Sequence, residues 1–287
     1  MTRHTTSVAL PEEENVSLRF PRHPQLLAAM IALGGLSLTG CGDDAGGGST
    51  RTSGINLVKS DTLTTCTHLP YAPFQLKQNG KVVGFDIDLV DLVAKDLGVK
   101  QEVVDTPFEG IKSGQDLNTG KCDIAAAGMT INDERRKVID FSKPYFDATQ
   151  ALLVKTGAGF DSLADLKGKK VGVQSGTTGK EYVDAQKPQG VKVIEFEDLA
   201  TEQQSLATGQ IAAAVNDLPV WLDYIKKDPG KFEVATEFDT GERYGFGIKK
   251  GGNPKLLETV NKVLDRAKSD GTYDKLYEKW FGQKPSP

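Results

Sequence analysis

Apolar positions follow helical and strand periods in turn through the first half of the chain. Leu89, Val93 and Leu97 recur at every fourth position and Gly98 follows them, which predicts an amphipathic helix over Gly84–Gly98. Around it we expect strands over Thr62–Thr67, Lys100–Asp105 and Asp123–Gly128, and a short helix over Ile111–Leu117. Strands and helices that alternate at this spacing favour right-handed β–α–β units on a parallel sheet.

The same alternation begins again in the second half. The predicted strands are Lys170–Val173, Val191–Phe196 and Ile211–Val215, and the helices are one from about Thr178, then Thr201–Thr208 and Pro219–Lys227. The pattern therefore predicts an α/β protein with two similar lobes.

A last predicted helix begins at Asn253-Pro254 and has no strand after it. Its apolar face contains Leu256, Val260, Val263 or Leu264, and Ala267. We expect this helix to pack back onto the first lobe, so that the chain crosses twice between lobes around a hinged cleft. The predicted boundaries are 55–148 plus 243–287 for the first lobe and 149–242 for the second.

An uncharged apolar run from Gln25 to Gly40 precedes both lobes and follows Arg19 and Arg22. It is short for a membrane span and typical of a signal peptide, predicted over residues 1–40. It ends in Leu-Thr-Gly-Cys41, which resembles the bacterial lipobox and predicts lipidation of Cys41; the alternative is a buried helix with a packed cysteine. Residues 41–54 are rich in glycine and serine and predict a flexible tether. A lipid anchor would hold the protein on the extracytoplasmic face of the cell membrane.

Composition excludes several kinds of chemistry. The chain has 35 basic and 39 acidic residues, a net charge of −4, which gives no reason to expect a nucleic-acid partner. Of three histidines only His68 follows the leader, too few for a histidine zinc site, and the three cysteines form no Cys-x-x-Cys pair. Gly179-Lys180 lacks the rest of a phosphate-binding loop, and no Gly-x-Ser-x-Gly elbow occurs. We expect neither metal nor cofactor, although spacing alone does not exclude catalysis by paired carboxylates.

Polar residues at predicted strand ends are candidates for ligand binding, because open α/β sheets place ligands there. Thr130 and Arg135 follow one buried strand, and an arginine fork suits a carboxylate. Ser175–Thr178 joins a strand to a helix N-terminus, an anion site, and Asp217 suits an ammonium. Each candidate has a structural alternative. Arg135 could lie in a solvated basic turn, Ser175–Thr178 could be a plain glycine turn with a threonine cap, and Asp217 could cap a helix. Tyr71, Phe74 and Phe108 are either walls of the site or core.

Ordered motifs link these candidates to a known family. The motifs are Tyr71-Ala-Pro-Phe74, Gly84-Phe-Asp-Ile-Asp-Leu89, Phe108-Glu-Gly-Ile111, Gly128-Met-Thr-Ile-Asn-Asp-Glu-Arg135, Phe141-Ser-Lys-Pro-Tyr145, Gly172-Val-Gln-Ser-Gly-Thr-Thr178, Val215-Asn-Asp217, and Gly271-Thr-Tyr with Lys279-Trp-Phe-Gly282. Over roughly residues 55–284 the chain resembles the family 3 extracellular solute-binding proteins of polar amino-acid ABC importers. The resemblance implies the type II periplasmic-binding-protein fold, α/β with two mixed sheets flanked by helices.

The resemblance also implies roles for individual residues. Arg135 and Thr130, with the Thr178 amide, would bind the α-carboxylate of a free amino acid. Asp217 and the Gly128 carbonyl would hold its α-ammonium. Tyr71 and Phe108 would enclose its side chain.

The residue that lies three positions before Tyr71 departs from the family pattern. Several relatives that bind glutamine or basic amino acids have an acidic residue there, and this chain has His68. With Gln174 expected in the same subsite, we favour a glutamate or glutamine ligand. The family fold would also bring Cys66 and Cys122 together as a disulfide; the alternative is two reduced core cysteines.

The family likeness predicts a monomer that captures an amino acid and delivers it to an ABC permease and its ATPase. The alternatives are an exported enzyme on the same fold, such as a dehydratase, and a sensor ectodomain.

Overall fold

The computed structural model describes residues 54–285 of the chain. Its strands are β1 (Thr62–Thr67), β2 (Leu76–Gln78), β3 (Lys81–Val83), β4 (Lys100–Asp105), β5 (Ile124–Ala125), β6 (Ile139–Phe141), β7 (Phe146–Lys155), β8 (Lys170–Gln174), β9 (Lys192–Phe196), β10 (Ala213–Asp217), β11 (Phe232–Tyr244) and β12 (Gly247–Lys249). Its helices are α1 (Phe85–Leu97), α2 (Phe108–Lys112), α3 (Gln115–Asn118), α4 (Asp133–Arg136), α5 (Thr178–Gln186), α6 (Leu199–Thr208), α7 (Leu218–Lys227), α8 (Pro254–Ser269) and α9 (Thr272–Phe281). The predicted leader, Cys41 and the tether up to residue 53 lie outside the described residues.

Two five-stranded sheets form the centres of the two lobes. The first has the order β4-β1-β5-β12-β6, and the second has the order β11-β7-β10-β8-β9. In the first, β1 runs parallel to β4 and β5, whereas β12 is antiparallel to both its neighbours. In the second, β8 runs parallel to β9 and β10, whereas β7 is antiparallel to β10 and β11. The sheets are therefore mixed, as the family resemblance implied, and the periodicity found only their parallel parts.

Helices α1 and α8 follow the predicted apolar stripes. Leu89, Val93 and Leu97 are buried on α1, and Gly98 ends the helix in the left-handed conformation at φ 73°. The predicted face of α8 is buried as well, and Asn253 accepts a hydrogen bond from the backbone of the first turn. Since α8 packs against α1, the C-terminal segment returns to the first lobe as expected.

The helix predicted over Ile111–Leu117 is two short helices, α2 and α3. Gly114 separates them at φ 72°, a left-handed conformation that breaks the helical path. A Cβ atom at this position would lie 2.8 Å from the Val138 carbonyl oxygen, so a larger residue would also collide with the loop before β6.

The long strands β7 and β11 contain the two chain crossings between lobes. They pair side by side, the predicted boundaries at 148–149 and 242–243 lie within them, and neither strand was predicted from the sequence. Around their lobe 1 ends, rings of Phe74, Phe85, Phe146, Tyr244 and Phe281 pack together, with centroid distances such as 4.9 Å for Phe74–Phe146 and 5.1 Å for Phe146–Phe281. This aromatic cluster joins α1, α9 and the crossing strands into one packed unit.

Cys66 in β1 and Cys122, just before β5, form a disulfide that closes a separation of 56 residues. Both residues are buried in the first lobe. The structure therefore contains the disulfide and not the alternative from the sequence, two reduced core cysteines.

Candidate ligand-binding site

A cavity lies between the two lobes. All nine residues predicted for the site line it: His68, Tyr71, Phe108, Gly128, Thr130, Arg135, Gln174, Thr178 and Asp217. The first six come from lobe 1 and the last three from lobe 2. Gln75, Ala127 and Thr177 also line the cavity, and the sequence analysis did not single them out.

Arg135 lies in the short helix α4 with its side chain turned inward. Asn132 caps the helix by accepting a hydrogen bond from the Arg135 backbone N–H at 2.9 Å. The guanidinium donates from Nη1 to the Thr130 carbonyl at 2.7 Å and from Nη2 to the Gly176 carbonyl of the opposite lobe at 3.3 Å. Its carbon lies 5.4 Å from the centre of the Phe108 ring. Two of its five N–H donors are thus used by carbonyls, which leaves donors for an anion.

The alternative from the sequence, a solvated basic turn, holds for the neighbours of Arg135 but not for Arg135 itself. Arg136 is exposed and Lys137 pairs with Glu134 at the surface, whereas Arg135 is only 5 % exposed. Among the described residues no carboxylate lies within ion-pairing distance of its guanidinium, and burial lowers its pKa. Arg135 is therefore a buried cation without a partner of opposite charge.

Asp217 ends β10 and stands before α7, but its side chain does not cap that helix. Its carboxylate instead accepts hydrogen bonds from the hydroxyl of Tyr71 at 2.7 Å, the hydroxyl of Tyr244 and the amide of Gln150. Burial, followed by the charge of Glu242, raises the pKa of Asp217 to about 6. Asp217 is 3 % exposed, and no described cation pairs with it.

Glu242 on β11 is a functional candidate that the sequence analysis missed. Its Oε2 atom accepts hydrogen bonds from the hydroxyls of Thr130 and Thr178, each at 2.7 Å, and its Oε1 atom accepts from the Gln150 amide at 3.1 Å. Thr130 belongs to lobe 1, whereas Gln150 and Thr178 belong to lobe 2. Glu242 therefore links the lobes beside Asp217.

Gly128 lines the cavity, and its backbone N–H is held by a buried carboxylate. Its N–H donates to Oδ2 of buried Asp86 at 2.8 Å, and Asp86 accepts a second bond from the Tyr145 hydroxyl at 2.7 Å. Burial raises the pKa of Asp86 to about 7. Gly128 has φ 54°, and a Cβ there would lie 2.9 Å from a ring carbon of Tyr71, so glycine fits both the backbone and the packing.

The loop before α5 contains the threonine cap considered as an alternative. Thr177 accepts a hydrogen bond from the Lys180 N–H at 3.2 Å, and its own hydroxyl donates to the Gln174 carbonyl at 2.7 Å. Thr178, the next residue, begins the helix and directs its hydroxyl to Glu242. The cap and the candidate site thus use adjacent residues of one turn.

His68 spans the cleft with both ring nitrogens. Nδ1 lies 3.0 Å from the Thr106 carbonyl oxygen in lobe 1, and Nε2 lies 3.2 Å from the Glu197 carbonyl oxygen in lobe 2. Carbonyl oxygens only accept, so both hydrogen bonds form together only when the ring carries two protons. His68 lines the site, but its polar atoms face the main chain of both lobes.

The described residues contain no group of three histidine, cysteine, aspartate or glutamate side chains placed to hold a metal ion. Within residues 54–285 no helix is long and apolar enough to cross a membrane.

The sequence matches a known protein family. The model of the bacterial extracellular solute-binding proteins, family 3, matches residues 63–283. A probable histidine-binding protein of Campylobacter jejuni is 34 % identical over 257 residues, which cover 89 % of this chain and 97 % of that protein.

Solved structures agree with this match. An ancestral arginine-binding protein bound to arginine has a TM-score of 0.73 and 48 % identity, covering 77 % of this chain and 99 % of that one. An ancestral arginine-binding protein bound to glutamine has a TM-score of 0.72 and 47 % identity, and the match covers 78 % of this chain and 100 % of that one.

Proposed function

The chain belongs to the bacterial extracellular solute-binding proteins of family 3, and on that premise we propose that it captures a polar L-amino acid between its lobes for an ABC importer. One observation carries the proposal. A buried cation, Arg135, and a buried anion, Asp217, line the same cavity from opposite lobes, and neither has a charged partner among the described residues. A buried charge is costly unless paired, so a ligand with both charges fits this cavity.

The two ends of an amino acid match the two charges. Arg135 offers remaining N–H donors to the α-carboxylate. Thr130 and Thr178 line the same cavity, and their hydroxyls lie 3.4 Å apart. Asp217 and the carbonyl of Gly128 offer acceptors to the α-ammonium. Tyr71 and Phe108 add apolar ring surface between these polar ends.

The side chain of the ligand is expected to be glutamate or glutamine. Asp217 is the single carboxylate among the residues that line the cavity, and it is needed for the α-ammonium. A lysine or arginine side chain would therefore enter without a counter-ion. The relatives described above are named for histidine or arginine, or were solved with arginine or glutamine bound. They support an amino-acid ligand in general and do not favour one particular side chain.

Capture is proposed to be coupled to closure of the lobes. A ligand held by Arg135 in lobe 1 and Asp217 in lobe 2 has more contacts when the lobes are together, so it favours the closed form. The closed form would then dock on a permease. The chemistry needed for this role is binding, and the amino acid leaves unchanged.

Calorimetric titration of the purified protein with the twenty L-amino acids tests the proposal. We expect binding of a polar amino acid, and a loss of at least about a hundredfold in affinity for Arg135→Ala and for Asp217→Asn, because each leaves one ligand charge unpaired in a buried site. Arg136→Ala, an exposed neighbour, is the matched control. Ligand released by denaturation should be chemically unaltered; a converted product would instead support an enzyme on this fold.

We further propose that Cys41 carries a lipid that anchors the protein to the cell membrane. The lipobox-like sequence before Cys41 and the glycine-rich tether after it support this proposal. Partition of the expressed protein into detergent, with the mass of the N-terminal peptide, tests it. Cys41→Ala should move the protein to the aqueous phase, and equal partition of the two proteins would contradict the anchor.

A further inference from the structure

Gln75 is a buried residue of the cavity wall to which the amino-acid site gives no role so far. It follows the Tyr71-Ala-Pro-Phe74 motif, and its backbone is fixed by two hydrogen bonds with Tyr71: Tyr71 N–H donates to the Gln75 carbonyl at 2.8 Å, and Gln75 N–H donates to the Tyr71 carbonyl at 3.1 Å. Its side chain is 0 % exposed and lines the cavity. The loop therefore fixes the backbone from which this side chain enters the cavity wall.

Neither polar atom of the Gln75 side chain has a hydrogen-bond partner in the described part of the protein. Buried amides nearly always have partners, because an unsatisfied buried donor or acceptor is costly. Across the cavity Gln174 is in a similar position: its Nε2 lies 3.4 Å from the Glu197 carbonyl, but its Oε1 has no partner. The cavity thus offers one free amide and one free amide oxygen.

These free atoms define the chemistry of a complementary group. Gln75 can donate from its nitrogen and accept at its oxygen, whichever way the amide is turned, and the Gln174 oxygen only accepts. A guanidinium has donors only and would leave the Gln75 N–H groups unpaired. A carboxylate has acceptors only and would face two amide oxygens without a proton to give. A carboxamide both donates and accepts.

We propose that Gln75 is a specificity-determining residue that pairs with the side-chain carboxamide of the ligand, which makes glutamine the preferred amino acid. The inference rests on the proposed function, since it assigns the side chain of an amino acid already bound by Arg135 and Asp217. His68 does not compete for this side chain, because the carbonyls of Thr106 and Glu197 face both of its nitrogens. Gln75 thus recognises the ligand side chain through hydrogen bonds of a neutral amide.

Calorimetry with L-glutamine, L-glutamate, L-arginine and L-alanine on three variants tests the proposal. In the wild type we expect glutamine to bind most tightly. Gln75→Met keeps the size of the side chain and removes its amide, so glutamine should lose about ten- to a hundredfold in affinity while alanine, which has no side-chain amide, changes less than about twofold. Gln75→Glu adds a carboxylate and should move the preference toward arginine. Gln78→Met, at an exposed position of β2, is the matched control.

The outcomes separate this inference from the proposed function. If no amino acid binds the wild type, the proposed function fails. If amino acids bind but arginine or glutamate exceeds glutamine, or if Gln75→Met weakens alanine and glutamine equally, the role of Gln75 is overturned and the amino-acid site stands. Thermal unfolding of each variant shows whether a lost affinity comes from a lost fold, and Gln75→Glu gives a gain of arginine binding that misfolding does not produce.

Discussion

Two carboxylates, Asp217 and Glu242, share the amide of Gln150, and Asp217 lines the cavity. Burial is the main cause that raises the pKa of Asp217 to about 6, and the charge of Glu242 is the second. An ammonium ion beside them would favour ionised Asp217. The proposed binding of an ammonium would therefore be linked to the release of a proton near pH 6.

We expect the affinity for an amino acid to fall as the pH decreases from 7.5 to 5. Protonated Asp217 has no charge to offer the α-ammonium, so below pH 6 the dissociation constant should rise by up to about tenfold per pH unit. Titration calorimetry across this range measures the effect. In Glu242→Gln the fall should begin at lower pH, because the repulsion that raises the Asp217 pKa is gone. An affinity that is constant from pH 7.5 to 5 would contradict the assignment of the ammonium to Asp217.

At the scale of single elements, α6 brings Glu202 into the core of lobe 2. The side chain is fully buried, and Oε2 accepts a hydrogen bond from Asn216 Nδ2 at 3.1 Å, next to Asp217 on β10. Burial raises the pKa of Glu202 from its ordinary 4.5 to about 8. The helix thus supports the strand that holds Asp217 through a carboxyl group that prefers its proton.

We expect the free energy of unfolding to decrease as the pH rises from 6 to 8.5. The folded pKa of Glu202 exceeds the unfolded one, so the stability from this group is complete below about pH 4.5 and is lost as the pH rises through 8. Glu202→Gln does not titrate and should be more stable than the wild type by about 1–3 kcal/mol above pH 8. Urea unfolding at several pH values measures this. Exposed Glu278→Gln is the control, and parallel pH profiles for wild type and Glu202→Gln would contradict the prediction.

The disulfide between β1 and the segment before β5 stabilises the first sheet. Replacing Cys66 and Cys122 by alanine should lower the free energy of unfolding by about 2–4 kcal/mol, since the bridge closes a long loop and restricts the unfolded chain. Urea unfolding with and without reductant measures this: reductant should destabilise the wild type and leave the double variant unchanged. A wild type whose stability does not depend on reductant would show that the bridge contributes nothing.

Helices and strands were predictable from the sequence where the spacing of apolar residues along one face determines the element. Strands β1 and β4 and helix α1 follow local patterns, whereas β6 and β12 have three residues each and depend on partners far along the chain. At the cavity, the sequence predicted Arg135 and Asp217 as candidates because they follow strands. Their burial, and the absence of a helix cap by the Asp217 side chain, were visible only in the structure. Glu242 was not predictable, because its partner Thr130 lies 112 residues away.

At the scale of the whole molecule, polar contacts join the lobes on the cavity side. Tyr71 reaches Asp217, His68 reaches the Glu197 carbonyl, and Arg135 reaches the Gly176 carbonyl. Each of these bonds joins lobe 1 to lobe 2 and would break if the cleft opened. In the proposed function, the balance between open and closed forms would therefore depend on these contacts as well as on the ligand.

Tyr71→Phe should shift the protein toward the open form in the absence of amino acid. The variant keeps the ring and loses one hydrogen bond of about 0.5–1.5 kcal/mol, so the ratio of open to closed molecules should increase roughly two- to tenfold. Small-angle scattering measures this as a larger radius of gyration, which saturating ligand should reverse. An equal radius for both proteins without ligand would contradict a role of this hydroxyl in closure. Tyr182→Phe, outside the cavity, is the control.

The position of β12 determines when each lobe can be finished as the chain is made. The second sheet uses strands between Phe146 and Tyr244 only, so every one of them has been synthesised once Tyr244 has emerged. The first sheet has β12, Gly247–Lys249, between β5 and β6, and α8 and α9 complete its packing. Although β1, β4 and β5 of lobe 1 precede every strand of lobe 2, their sheet keeps a gap until Gly247–Lys249 has been made. The lobe whose strands come first is thus the one completed last, and its disulfide partners are available long before the strand that lies between β5 and β6.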